Sequence, residues 1–342
     1  MHMTDALLSV NTGLAFWSVS AGSLAYAARK VRQDSDEKKI PMMGVLGAFV
    51  FATQMINFTI PGTGSSGHLA GGFLLTIMLD PSRAFITMAS ILFIQSLFFA
   101  DGGLLALGCN IFNIALIPCF VVYPLLFRPW VKDKYHGIRT GLVVVLSTVF
   151  SFLIGAAAIV FQTSLSGMSE LPWKEFLWLM LSIHLVIGLV EGIVTLAILS
   201  YLKNIRPDLI GPSSPSPLIS KRGIVASLIA ALVVAGLLSH FASSLPDGLE
   251  WSIQKLVPLR LKENSGKIRE WLGQFQSFSA VFPDYQVKNQ SSPSDPVKGL
   301  GTSPGGIIGV LVILAFAFFL GFILKKQRGR APLTPSETNP NL

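Results

Sequence analysis

Long uncharged apolar runs joined by short polar connections leave this chain few ways to fold. A helix needs about 20 consecutive apolar residues to cross a hydrocarbon core of about 30 Å. Such runs lie near 6–28, 41–60, 84–100, 104–127, 139–162, 174–202, 223–245 and 304–324, with a shorter glycine-rich one near 68–80. Hydrophobic residues make up 51% of the chain and charged ones 13%, with a mean hydropathy of +0.61. That balance belongs in a bilayer. The expectation is an all-α integral membrane protein of nine spans. The run at 68–80, with Gly71 and Gly72, is expected to be tilted or buried among the others, because irregular backbone at membrane depth must be shielded from lipid.

Orientation follows from the cations. If the nine spans alternate, the loops at 29–39, Arg83, 128–139, 203–222 and 325–330 share one side and hold eighteen of the 26 Lys and Arg residues. The other side holds Lys174 in a short loop and seven cations in the long 246–303 segment. Long segments weigh little in topology, so the amino terminus is expected outside and the carboxyl terminus in the cytoplasm. The net charge of +8 expresses this bias. No basic stripe interleaved with aromatics accompanies it, so nucleic acid is not an expected partner, whereas lipid is. Arg29, Lys30 and Arg32 follow the first apolar stretch, the reverse of a signal peptide, so that stretch reads as a retained helix. Cys109 and Cys119 lack metal-ligand spacing and read as small buried apolar residues.

Residues 1–203 are densely hydrophobic. A Pro/Ser linker at 204–222 cannot be helical throughout. At 223–324, two helices joined by an external segment look like a small subunit fused to a larger one, and 325–342 form a polar tail. The external segment carries Pro246-Asp247-Gly248-Leu249-Glu250-Trp251 and a second Pro283-Asp284-Tyr285. Between them Ile268, Trp271, Leu272 and Phe275 recur at helical spacing, a stripe expected to rest on the membrane part.

Chemistry concentrates at the chain start. In Met1-His2 the α-amine, the His2 amide nitrogen and its imidazole Nδ1 close fused five- and six-membered chelate rings, leaving one corner of a plane open. Such a donor set suits Ni(II) or Cu(II) better than tetrahedral Zn(II). On its own, a histidine after the initiator is equally an accident of sequence. The first external loop, Asn57 through Gly67-His68, falls on the same face, and His68 can fill the fourth corner or serve as a structural loop histidine. The glycine-rich loop lacks a P-loop lysine and a preceding strand, which sets phosphate binding aside.

Met1-His2, Gln54-Met55-Ile56-Asn57-Phe58, Gly67-His68-Leu69, Asp101-Gly102-Gly103-Leu104 with Ala106-Leu107-Gly108, and His184 through Glu191-Gly192 resemble the CbiM/NikM substrate-specific components of energy-coupling-factor nickel and cobalt transporters. The resemblance covers residues 1–205, and the remainder, with its P-D-G-L-E, is similar to the small NikN-type partner. The resemblance implies a seven-helix core whose first helix delivers the amino terminus into a pocket, plus a two-helix hairpin with an extracytoplasmic segment, in a prokaryotic inner membrane. It implies Ni(II) as cargo, with Co(II) the alternative, held by Met1, His2 and His68. It also implies a transmembrane coupling subunit and a pair of ABC-type ATPase subunits as partners, and no organic cofactor. Family members commonly begin M-H-I-P-D-G, whereas here Met3-Thr4-Asp5-Ala6 follow, so the turn after the chelating pair is made without proline and glycine.

Asn57, Ser65 and Ser66 are candidates to hydrogen-bond the ligating imidazole, or simply to close the loop. Asp101 either ties down its loop or attracts cations. His184 and Glu191, seven apart on one helix face, are intramembrane ionisable groups, expected as a buried His–Glu link or a contact to the amino-terminal segment. His136 and His240 have no supporting context, and the methionines read as packing. A metalloenzyme would need an open metal position and a motif such as H-E-x-x-H, which is absent. A self-sufficient permease would need charges through the bilayer centre, where only His184 and Glu191 qualify.

Overall fold

The structure, a computed structural model, describes residues 2–34, 39–131, 137–205, 221–256, 266–286 and 303–328. Met1, His136, residues 206–220 of the linker and the tail after 328 lie outside the described residues.

Helix α1 (Val10–Gln33) starts at Ser9, whose hydroxyl accepts the Thr12 N–H. After α2 (Lys39–Gln54) the chain makes an antiparallel hairpin of β1 (Phe58–Ile60) and β2 (Ser65–Gly67), with Phe58 opposite Gly67 and Ile60 opposite Ser65. Helix α3 (Gly72–Leu79) leads into α4 (Pro81–Phe98), capped by the Asp80 carboxylate, which accepts from Ser82 and Arg83 N–H. Next, α5 (Leu107–Ile111) runs through a π-helical stretch, Phe112–Phe127, into α6 (Arg128–Val131) as one rod. Pro118 and Pro124 lie in the widened part, where a missing N–H interrupts the usual ladder. Then follow α7 (Ile138–Ser166), α8 (Trp173–Ile205) and α9 (Lys221–Gly236). The segment between α9 and α12 (Ser303–Arg328) forms α10 (Gly248–Gln254) and α11 (Lys267–Ser279), and α12 closes the described chain.

Among the described residues, five helices are long and apolar enough to cross a membrane: Pro81–Phe98, Leu107–Val131, Ile138–Ser166, Trp173–Lys203 and Ser303–Leu320. Lys39–Gln54 and Val225–Phe241 are apolar but shorter. Four of the nine expected spans differ, the run at 223–245 because its apolar helix, Val225–Phe241, is among the shorter ones. The run at 41–60 divides, its last three residues becoming β1. In the run at 68–80 only eight residues are helical, about 12 Å of rise, too short to cross but buried at every position. Helix α1 is diluted by Asn11, Thr12 and three serines and is not among the five.

Helices α7 and α8 lie against each other along their lengths. Gly188 and Gly192 of α8 allow the approach: a Cβ there would stand 3.1 Å from Val149 Cα and 3.0 Å from Val145 Cα, the small-residue spacing that membrane helices use to pack closely. The opposite face of α7 shows Leu142, Leu146, Phe150, Phe161 and Leu165 outward, a liability in water and a proper wall in lipid. The hairpin helices α9 and α12 both pack on α2, so the appended part shares one core with the rest. At one end of the bundle Arg83 bonds Asp80 at 2.6 Å and Asp34 at 2.9 Å. The β-hairpin, residue 2 and residues 243–256 and 266–286 gather at the other end.

Candidate metal site

The amino-terminal segment is clamped onto the chain leading into α5. Met3 N–H donates to Asn110 Oδ1 at 2.8 Å, and Met3 O accepts from Asn110 Nδ2 at 3.2 Å and Gly103 N–H at 3.0 Å. Two residues on, Asp5 accepts the Ala106 N–H at 2.9 Å. Trp17 and Ser20 of α1 bond the carbonyls of Leu104 and Gly108. These bonds bring His2 beneath the loop that carries His68. Their rings stack, centroids 5.4 Å apart and planes 18° from parallel.

His68 Nδ1 lies 3.2 Å from Leu69 O. With the proton there, its Nε2 keeps a lone pair. The turn after it is fixed from α8, because Glu191 accepts the N–H groups of Ala70 and Gly71, the latter at 3.0 Å. Gly71 has φ +73°, a conformation natural to glycine. His2 Nδ1 stands 3.3 Å from Asp101 Oδ1, and its Nε2 is buried without a hydrogen-bond partner. Burial holds His2 below the ordinary histidine range and pushes His68 down to about 4. Both rings are therefore neutral near pH 7, the form in which imidazole binds metal.

A cavity of about 480 Å³ opens beside the two rings, lined by Asp101, Asp247, Glu250, Asp284 and Tyr285 among others. Asp247 caps α10, accepting from Leu249 and Glu250 N–H at 2.9 and 2.8 Å. Burial would raise its pKa, but the cationic amino end and the Glu250 N–H outweigh it and hold the carboxyl well below the usual range. Tyr285 OH donates to Asp101 Oδ2 at 2.5 Å. Burial and that carboxylate keep the phenol protonated far into the alkaline range. Gln95 Nε2 lies 3.2 Å from Tyr285 OH and donates to Gln54 Oε1 at 2.8 Å, and Gln54 Nε2 donates to Ala70 O at 2.7 Å. An uncharged relay thus links Asp101 to the turn that Glu191 holds.

Several expected roles are reassigned. The Ser66 hydroxyl goes to Leu245 O at 2.7 Å, and Ser65 pairs with the Thr63 hydroxyl at 2.7 Å, so these serines fasten the hairpin segment and the β-turn and leave the imidazoles alone. Asn57 lines the cavity, and its main-chain O accepts Ser243 N–H at 2.7 Å. His184 and Glu191 do not pair. Seven residues along a helix separate them by about 10 Å, so each finds a nearer partner, Met180 O for His184 Nδ1 and the 70–71 turn for Glu191. His240 joins the site's rim, bonded to Ser303 at 2.9 Å. Sequence reasoning missed Asp247, Gln95 and Tyr285 as neighbours of the histidines. The repeated Pro-Asp was the available signal for two of them.

Among the described residues no three His, Cys, Asp or Glu side chains converge as a metal-holding group.

Residues 2–209 match the family of the cobalt uptake substrate-specific transmembrane region, CbiM, and residues 221–326 match the PDGLE domain. The NikMN protein of Archaeoglobus fulgidus, named for fused nickel transport, is 30% identical over 333 residues, covering 94% of this chain and 98% of its own. The fused nickel transport protein NikMN of Rhodobacter capsulatus is 28% identical, covering 74% and 76%. The cobalt transport protein CbiM of Sorangium cellulosum is 26% identical, covering 61% and 94%. A crystal structure of a transition metal transporter matches with a TM-score of 0.53 at 31% identity, over 60% of this chain and 93% of that one. These relatives are transport proteins and not catalysts. The chain belongs to the CbiM family of metal-uptake membrane proteins, carrying a NikN-like PDGLE region fused at its carboxyl side.

Proposed function

We propose that this chain is the substrate-binding membrane component of an ATP-driven energy-coupling-factor importer of Ni(II). Its core would comprise seven helices and its accessory part a two-helix hairpin, with the amino terminus outside. The carrying observation is the stacked pair His2 and His68, half-buried and neutral at the mouth of the cavity. The Met1 amine and the His2 amide and imidazole form three corners of a plane, and His68 Nε2 supplies the fourth. Four nitrogens in a plane suit d⁸ Ni(II), and the cost of removing the amide proton is met only by a strongly binding ion. The chain has no nucleotide-binding motif, so energy comes from a coupling subunit and ABC-type ATPases. Co(II) is the second reading, favoured by the cobalt-uptake description of the matched family.

Isothermal titration with Ni(II), Co(II) and Cu(II) on protein with its native start tests the site. One extra residue before Met1, or acetylation, should abolish tight binding while the fold persists. His2→Ala and His68→Ala should each do the same, and unchanged affinity in either rejects the ligand assignment. Uptake with and without the ATPase subunits separates a component from a self-sufficient permease.

A further inference from the structure

Four described non-glycine residues have left-handed backbone, and three of them meet at one hydrogen bond. Ala100 (φ 54°) precedes Asp101, while Asp284 and Tyr285 have φ 51° and 63°. Such conformations are costly and persist where surrounding structure imposes them, often at functional sites. Here the Tyr285 ring stacks on Phe99 with centroids 4.8 Å apart, and its main chain presses on Gly305, where a side chain would not fit. The phenol is thereby aimed at Asp101 Oδ2, leaving Oδ1 to face His2 Nδ1.

Asp101 is not needed to bring His2 to His68, because the clamp of Asn110, Gly103 and Ala106 on residues 3 and 5 already does so. What Asp101 adds is the way the imidazole turns. Nδ1 is the nitrogen that closes the six-membered chelate ring, and Nδ1 is the atom facing the carboxylate. We propose that Tyr285 of the fused hairpin is a positioning residue for the metal site: through Asp101 it holds the His2 imidazole by the nitrogen the chelate requires, and so sets the rate of ion uptake. This rests on the chelate reading above. Loading then requires the ring to leave Asp101 and to swing its buried Nε2 into solvent, so that solvent can take the proton from Nδ1 and return one to Nε2.

The test is stopped-flow association of Ni(II) with the full chain, followed by the ligand-field band of the planar complex. Compared in molar salt, where attraction by the rim carboxylates is screened, Tyr285→Phe and Asp101→Ala should each load about three- to tenfold faster, the worth of one hydrogen bond. Stoichiometry and band position should stay unchanged. In the Asp101→Ala background, Tyr285→Phe should add nothing, since the phenol acts only through that carboxylate. Unchanged or slower loading in the single variants, or effects that multiply in the double, overturns the proposal. If Tyr285→Phe fails to fold, Asp101→Ala alone reads the same hold on His2. A chain that binds no Ni(II) at all overturns the chelate reading and this proposal together, whereas normal binding with unaltered rates overturns only the latter.

Discussion

Two imidazoles that burial keeps neutral set the terms on which an ion enters. The lowered values place proton competition at His68 near pH 4, well below neutrality. Protons expelled by Ni(II) near pH 7 then come from the chain start, on the order of two per ion (ammonium and amide) and not four. Calorimetry in buffers of different ionisation enthalpy measures that number, and three or more would contradict neutral rings. The same burial has a stability sign. As pH falls from the ordinary histidine value of 6.5 towards about 4, an unfolded His68 takes up a proton that the folded one refuses. Stability should decline through that window and level off beneath it, which thermal melts across pH 4–7 would follow.

Helices were the more legible elements. The apolar runs at 84–100, 139–162 and 174–202 became α4, α7 and α8, because a continuous apolar stretch has only one good solution in lipid. The β-hairpin was not foreseen: strands of three residues are too short to show alternation, although Gly62 and Gly64, with φ +77° and +76°, mark its turn. His2 and His68 were found together because side-of-membrane arithmetic places them without any contact information. Tyr285 escaped because 184 residues separate it from Asp101 and no local spacing records such a meeting. The α7–α8 seam carries its own expectation. Gly192→Leu drives a side chain into the backbone at Val145, overpacking that costs about 1–3 kcal/mol. The melting temperature should fall, while Gly273→Leu on α11, where nothing lies within 4 Å of the added Cβ, should melt nearly as before.

Taken whole, the molecule places most of its mouth's negative charge on the appended part. Asp247, Glu250 and Asp284 come from the segment between α9 and α12, against Asp101 from the larger part. Such a rim raises the local concentration of divalent cations before any nitrogen is engaged. Glu250→Gln with Asp284→Asn should slow Ni(II) association a few-fold at low ionic strength, with the difference fading in molar salt as screening shortens to about 3 Å. A salt-independent defect would assign these groups a role other than attraction.

The glutamine pair has a consequence of its own. Gln95 and Gln54 join Tyr285 to the Ala70 carbonyl by neutral donors and acceptors alone. Alignment can pass along such a line at no cost in charge burial, yet neither glutamine brings a carboxylate or an imidazole to hold a bare cation. News of an arrival at the surface and the traveller itself must therefore descend by different roads.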